Sequence, residues 1–205
     1  MSDGGSIVEF FYNLIPGSIF LFSLKLLCIF DLGKAIKGSE NLIIFGYLVL
    51  GIFLGFLFQG LTIIARRVVG WNITVFKIIE EKNSNFKLAY KKLTREELKE
   101  NEKLTDQQLS DMFYLMDSSL RVDKASFLPT HFSSLFAFWA NMFFAALLLS
   151  VILWTMKGGW FLLFEQVEII ILFVVLVIAI LCLYFANRFL ISFYDTILNC
   201  YIMKK

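Results

Sequence analysis

Four long apolar runs enclose one charged stretch, and that alternation limits the possible folds more than any other feature of the chain. The runs cover residues 6–30, 42–65, 132–156 and 161–186, and the charged stretch covers 66–130. A helix rises 1.5 Å per residue, so about 20 apolar residues cross a hydrocarbon core of about 30 Å. Each run meets that length. The expected fold is all-α: a polytopic membrane protein with four transmembrane helices in two hairpins and a small helical cytoplasmic insert between the second and third. Its expected parts are a first hairpin (1–65), a module (66–130) and a second hairpin with a C-terminal extension (131–205).

Of 205 residues, 59% are hydrophobic, more than a soluble core of this size can bury. The net charge of +2 says little, but its distribution says more. An even number of spans places both termini on the side of the module. That side then holds 15 Lys and Arg against 3 on the other, with Lys25 inside the first run. The positive-inside rule assigns the basic side to the cytoplasm, through Arg66, Arg67, Lys77, Lys124 and Arg188 near helix ends. The first run reads as a retained span, not a signal peptide. Residues 1–13 carry Asp3 and Glu9 but no Lys or Arg, and the run outlasts a signal core.

Within the spans, glycines and polar residues are the informative positions. Gly51 and Gly55 share a face of span two and form a small-xxx-small pair, whereas Gly46 and Gly60 fall near the opposite face. All four are candidates for helix packing and oligomer contacts. Pro16 predicts a kink near residues 12–16, or a short interfacial helix ending there; the comfort of Pro in a first helical turn favours the second. The intramembrane polar candidates are Glu9, Asn13, Lys25, Gln59, Asn141, Asn187 and Arg188. They line a pore or touch a ligand, or they bond between helices and snorkel to the interfaces. The second reading is favoured, because no ionisable residue falls clearly at mid-depth. Lys25 in particular could snorkel toward Asp31.

The module reads as helical extensions plus a helical hairpin. Residues 68–82 are expected to continue span two and are amphipathic through Val69, Ile73, Phe76 and either Ile79 or Val75, and residues 82–85 form a break. Thr94 with Glu97, and Thr105 with Gln108, match the capping-box pattern and predict helices over 95–103 and 106–117. Pro129 is expected to end any helix before span three. A module of 65 residues is too small and polar for a large core of its own, so membrane helices, other copies or a partner are expected to complete it. Lys87, Lys91, Lys92, Arg95, Lys99 and Lys103 recur at helical spacing. They form a solvated surface or, with Leu109, Met112, Phe113 and Met116, a face that docks a protein. Direct nucleic-acid binding is not expected, since acidic neighbours dilute the field. Residues 189–203 are apolar with Asp195 and Asn199 four apart, and extend the last helix or lie along the inner interface.

No phosphate-cradling glycine loop and no serine in a nucleophile-elbow frame occurs. Cys28, Cys182 and Cys200 lack ligand spacing, and His131 is the only histidine. The expectation is a chain with no catalytic, cofactor-binding or metal-binding residues, and not an enzyme.

The segment Phe11-Tyr12-Asn13-Leu14-Ile15-Pro16-Gly17, opening a first span with uncharged flanks, resembles small bacterial membrane proteins of anti-phage defence. Together with the four-span layout and its inserted module, it is similar to the KwaA-like membrane subunits of the Kiwa system. That resemblance implies a homo-oligomeric, tetrameric sensor in the bacterial inner membrane that engages a cytoplasmic, DNA-binding partner. It carries over no individual functional residue. The expected function is a sensor or scaffold that docks a cytoplasmic effector. The alternatives are an oligomeric channel-like effector that depolarises the membrane, and a small transporter or its accessory subunit.

Overall fold

The structure is a computed structural model that describes residues 4–27, 29–35, 39–96, 98, 103–122, 127–156 and 166–204. All regular structure among them is helical: α1 (Gly4–Leu26), α2 (Leu32–Ala35), α3 (Glu40–Val68), α4 (Trp71–Lys82), α5 (Phe86–Thr94), α6 (Asp106–Val122), α7 (Phe127–Met156) and α8 (Gln166–Met203). Among the described residues three stretches are long and apolar enough to cross a membrane: Glu40–Val68, His131–Thr155 and Ile169–Met203. The apolar part of α1, Leu14–Leu26, is shorter. The chain divides into two compact units. One comprises Met1–Ile64 and Ala137–Ala186; the other comprises Ala65–Phe136 and Asn187–Lys205. The boundaries fall inside α3, α7 and α8.

In the first unit, α1 and α3 touch backbone to backbone. A Cβ on Gly17 would stand 1.9 Å from the Gly51 carbonyl oxygen and 2.8 Å from the Gly55 nitrogen. The Gly51–Gly55 stripe therefore receives a helix of its own chain. Beyond this crossing the side chains lengthen. Phe20 and Leu24 of α1 meet Phe58 of α3 and Ala145 and Leu149 of α7, and all five are buried. The Phe20 and Phe58 rings meet edge to face, with centroids 5.4 Å apart. α1 runs without a break through Pro16, so the expected helix start at that residue is corrected. Pro16 removes one donor from the ladder, but packing of a membrane-type helix against its neighbours tolerates such a gap.

Between α1 and α3 the chain turns tightly. The Ile29 and Phe30 amides both donate to the Leu24 carbonyl, at 3.0 and 3.3 Å. The Leu32 amide donates to the Tyr47 hydroxyl at 2.9 Å, and that hydroxyl donates to Asp31 at 3.3 Å. Leu32 covers Gly46, where a Cβ would come within 2.7 Å of its side chain. Phe45, Phe53, Phe173 and Ile180 are among the strongly exposed apolar residues of α3 and α8. In water such exposure is unfavourable; in hydrocarbon it is the expected state of a lipid-facing surface.

The second unit begins with a break. Gly70 adopts φ 62° and ψ 32°, in the left-handed region, between α3 and α4. The amphipathic segment is therefore not a straight continuation of span two, and Val68 and Val69 are exposed. Val75, Phe76 and Ile79 of α4 turn inward, as do Phe86 and Ala89 of α5 and Leu109, Met112, Phe113, Met116 and Leu120 of α6. The rest of this core comes from the end of α8, which buries Leu190, Tyr194, Ile197 and Leu198. Phe76 stacks on Phe113 with centroids 4.5 Å apart, and Tyr194 meets both rings edge-on. Hence the segment 189–203 is helical and supplies a wall of the core.

The two capping patterns end differently. Thr105 and Gln108 form a reciprocal box: the Thr105 amide donates to the Gln108 side chain at 2.9 Å, and the Gln108 amide to the Thr105 hydroxyl at 3.3 Å. α6 follows, reaching Val122 and so passing its expected end at 117. Thr94 instead closes α5. Its hydroxyl donates back to the Tyr90 carbonyl at 2.9 Å, and Arg95 adopts φ 63° as the C-cap. The expected helix over 95–103 is thus not started by Thr94; residues 97 and 99–102 lie outside the described set. α7 begins at Phe127, ahead of Pro129. A proline in a first turn removes a donor that has no partner there, so Pro129 does not bar the helix.

Candidate functional site

The second unit is held by a seam of polar side chains between α8 and the segment carrying α4 and α5. Trp71 donates its indole N–H to Asn187, and Asn83 donates its amide to Asp195. The Asn85 amide donates to Asn199 at 3.1 Å. Asn187, Asp195 and Asn199 are spaced by eight and then four residues, which keeps them near one face of α8. The seam ends at Lys92, whose ammonium donates to the carbonyls of Tyr201 at 3.1 Å, Ile202 at 3.0 Å and, in addition, Lys204. The Tyr201 and Ile202 carbonyls are in the last turn of α8, where carbonyls have no partner within the helix and carry its negative dipole end, and Lys204 follows directly. Lys204 in turn donates to the Ser119 hydroxyl at 2.6 Å.

Arg66 anchors the other end of the seam. Its guanidinium donates to Asn72 at 3.1 Å and to the Tyr194 hydroxyl at 3.3 Å, and lies 5.0 Å from the centre of the Phe136 ring. Planar stacking with two directed hydrogen bonds is a role suited to arginine rather than lysine. On α4, Lys77 pairs with Asp106 at 2.8 Å, and Glu80 accepts from the Leu104 amide at 2.9 Å. These contacts tie the start of α6 to α4.

The basic residues expected on one docking face therefore divide. Lys92 is committed to the end of α8, and Lys103 pairs with Glu81 at 3.0 Å. Lys87, Lys91 and Arg95 remain exposed along α5 and its cap. Lys99 lies outside the described residues. The apolar set is corrected outright. Leu109, Met112, Phe113 and Met116 are each at most 3% exposed and form the core of the unit, so they offer no surface to a partner. The neighbouring turns of α6 do present Tyr114 and Leu115, both largely exposed.

Among the intramembrane candidates, Asn141 is fully buried and accepts from the Thr62 hydroxyl at 3.0 Å. It joins α7 to α3 inside the first unit. Asn187 belongs to the polar seam, Arg188 is exposed and Gln59 is half-buried. Glu9 and Asn13 lie on α1; their side chains are outside the described set. Lys25 is exposed near the end of α1, its ammonium 5.3 Å from the centre of the Tyr47 ring. A Cβ on Gly60 would meet nothing within 4 Å, so this glycine lies on an open face. His131 is exposed, Cys182 is buried and Cys200 half-buried, while Cys28 is outside the described residues. Among the described residues no three His, Cys, Asp or Glu side chains are placed to hold a metal ion.

Sequence reasoning missed the seam itself. Asp195 and Asn199 stood out as a pair four apart, and Asn83 and Asn85 as a break. Nothing in the spacing joined the two. No protein-family model, curated protein or solved structure matches the chain.

Proposed function

We propose that this chain is a sensor or scaffold of the bacterial inner membrane, without a reaction of its own, that docks a cytoplasmic effector. In this reading α1 is a fourth span and both termini lie with the second unit in the cytoplasm. The chain forms a homo-oligomer, and its resemblance to KwaA-like subunits supports a role in anti-phage defence. The positive-inside asymmetry supports the orientation, and the close fit of Gly17 on Gly51 supports α1 as a companion of α3 across the hydrocarbon layer.

One observation carries the docking claim. The second unit fills its core with its own α8, so its exposed Lys87, Arg95, Tyr114 and Leu115 are not needed to complete it. Exposed aromatic and basic residues on a finished core suit a partner with acidic and apolar contacts. The α8 helix carries residues of both units, which offers a continuous element for relaying a change in membrane packing.

The test is co-purification of the full-length chain with the cytoplasmic product of the adjacent gene. Charge reversal of Lys87 and Arg95 together is expected to abolish retention while expression and unfolding temperature persist. Unchanged retention would remove the docking face. Labelling of a cysteine introduced at Ser110 by a membrane-impermeant reagent in intact cells would overturn the orientation.

A further inference from the structure

One cavity of the first unit has a composition that selects its occupant. Between α1 and α3 lies an open groove of about 350 Å³, within the size range of small-molecule sites. Leu14, Leu21 and Phe22 of α1 and Leu48 of α3 make it apolar along most of its length. Its polar lining residues are Ser18, Lys25 and Tyr47, and the last two stand together, with the ammonium 5.3 Å from the ring centre. Among the described residues no carboxylate lies within ion-pair distance of Lys25. Asp31, the nearby acid, spends its Oδ1 on the Gly33 amide at 3.0 Å and on the Tyr47 hydroxyl at 3.3 Å.

The dimensions add a second constraint. From Leu14 to Lys25 along α1 is about 16 Å at 1.5 Å per residue. That is about half of a hydrocarbon layer of about 30 Å, the depth of one leaflet. A trough one leaflet deep, greasy below and cationic at its mouth, complements an amphiphile with the opposite headgroup charge. A lysine at headgroup depth attracts anionic lipid, and among the described residues the Lys25 ammonium forms no ion pair of its own.

We propose that the groove between α1 and α3 seats an acyl chain of one anionic phospholipid, with the lipid phosphate on the Lys25 ammonium. The site rests on α1 and α3 being embedded in the bilayer and is independent of any partner of the second unit.

Native mass spectrometry of the full-length chain, released from micelles containing equal phosphatidylglycerol and phosphatidylcholine, tests it. The wild-type chain is expected to retain phosphatidylglycerol about fivefold over phosphatidylcholine, the preference that one lysine near a headgroup supplies. Lys25→Gln should bring the ratio close to one, and Lys25→Arg should keep it. Leu48→Trp, which narrows the trough from its exposed rim, should reduce adducts of both lipids. Free glycerol 3-phosphate, offering the anion without the chain, should displace nothing. Equal retention of the two lipids by the wild type, an unaltered preference in Lys25→Gln, or displacement by glycerol 3-phosphate would each overturn the proposal. Partner retention, read separately, distinguishes this failure from failure of the docking reading.

Discussion

Gly17 and Gly51 meet so closely that the Gly51 carbonyl oxygen occupies the space a Cβ on Gly17 would need, 1.9 Å away. The obstacle is backbone, so neither helix can yield by turning a side chain. Gly17→Ala should therefore push α1 off α3 and cost about 1–3 kcal/mol, the usual range for overpacking. Gly51→Ala meets the Ser18 hydroxyl at 2.7 Å, which can rotate, and should cost less. Gly60→Ala enters open space and should stabilise α3 slightly through helix propensity. Unfolding of the detergent-solubilised variants gives the order, and a Gly60→Ala as harmful as Gly17→Ala would contradict it.

The buried Thr62–Asn141 bond should be measurable but modest. Interhelical hydrogen bonds in membrane proteins average about 0.6 kcal/mol in double-mutant cycles, because unfolded helices in lipid find other partners. Thr62→Val and Asn141→Leu, alone and combined, should give a coupling energy of about 0.5–1.5 kcal/mol. Strict additivity would show that the 3.0 Å contact carries no energy of its own.

Lys92 and Lys87 sit on the same helix but should behave differently. Lys92→Ala removes the donor to the last carbonyls of α8 and should loosen that end by about 1 kcal/mol. Hydrogen exchange at residues 199–204 should then speed up. Lys87→Ala, at an exposed position, should leave exchange there unchanged. Equal protection in both variants would rule out the capping role.

Arg95 occupies the left-handed region at φ 63°, where a non-glycine residue is strained by about 1–2 kcal/mol. Arg95→Gly should relieve much of this at the end of α5, raising stability by about 0.5–1 kcal/mol. If Arg95 also contributes to the docking face, the same variant gains stability and loses partner retention. A loss of stability would show that the side chain holds the turn.

The three membrane-length apolar helices were legible because length and hydrophobicity act locally. The reciprocal Thr105–Gln108 box was legible for the same reason, since both partners lie within one turn. Thr94 carried the same pattern and closed a helix instead. Its hydroxyl reached back to Tyr90, a choice that depends on whether residues 86–94 are already helical. The inward face of α6 was visible as Leu109, Met112, Phe113 and Met116, but periodicity states only that such a face is covered. It does not say whether a partner or the same chain covers it. Here Tyr194 and its neighbours on α8 do so, more than 70 positions away in the sequence. The Gly51–Gly55 stripe shows the same limit, since its occupant, Gly17, could not be told from a second copy.

Gly70 joins α3 to α4 at φ 62°, with nothing within 4 Å of where a Cβ would stand. Its requirement is therefore one of handedness rather than of size. Alanine should incur a torsional penalty there of about 1–2 kcal/mol, whereas a D-alanine introduced by semisynthesis should fit without loss. An alanine at this position alters the backbone preference between two helices while its methyl group meets no packed neighbour.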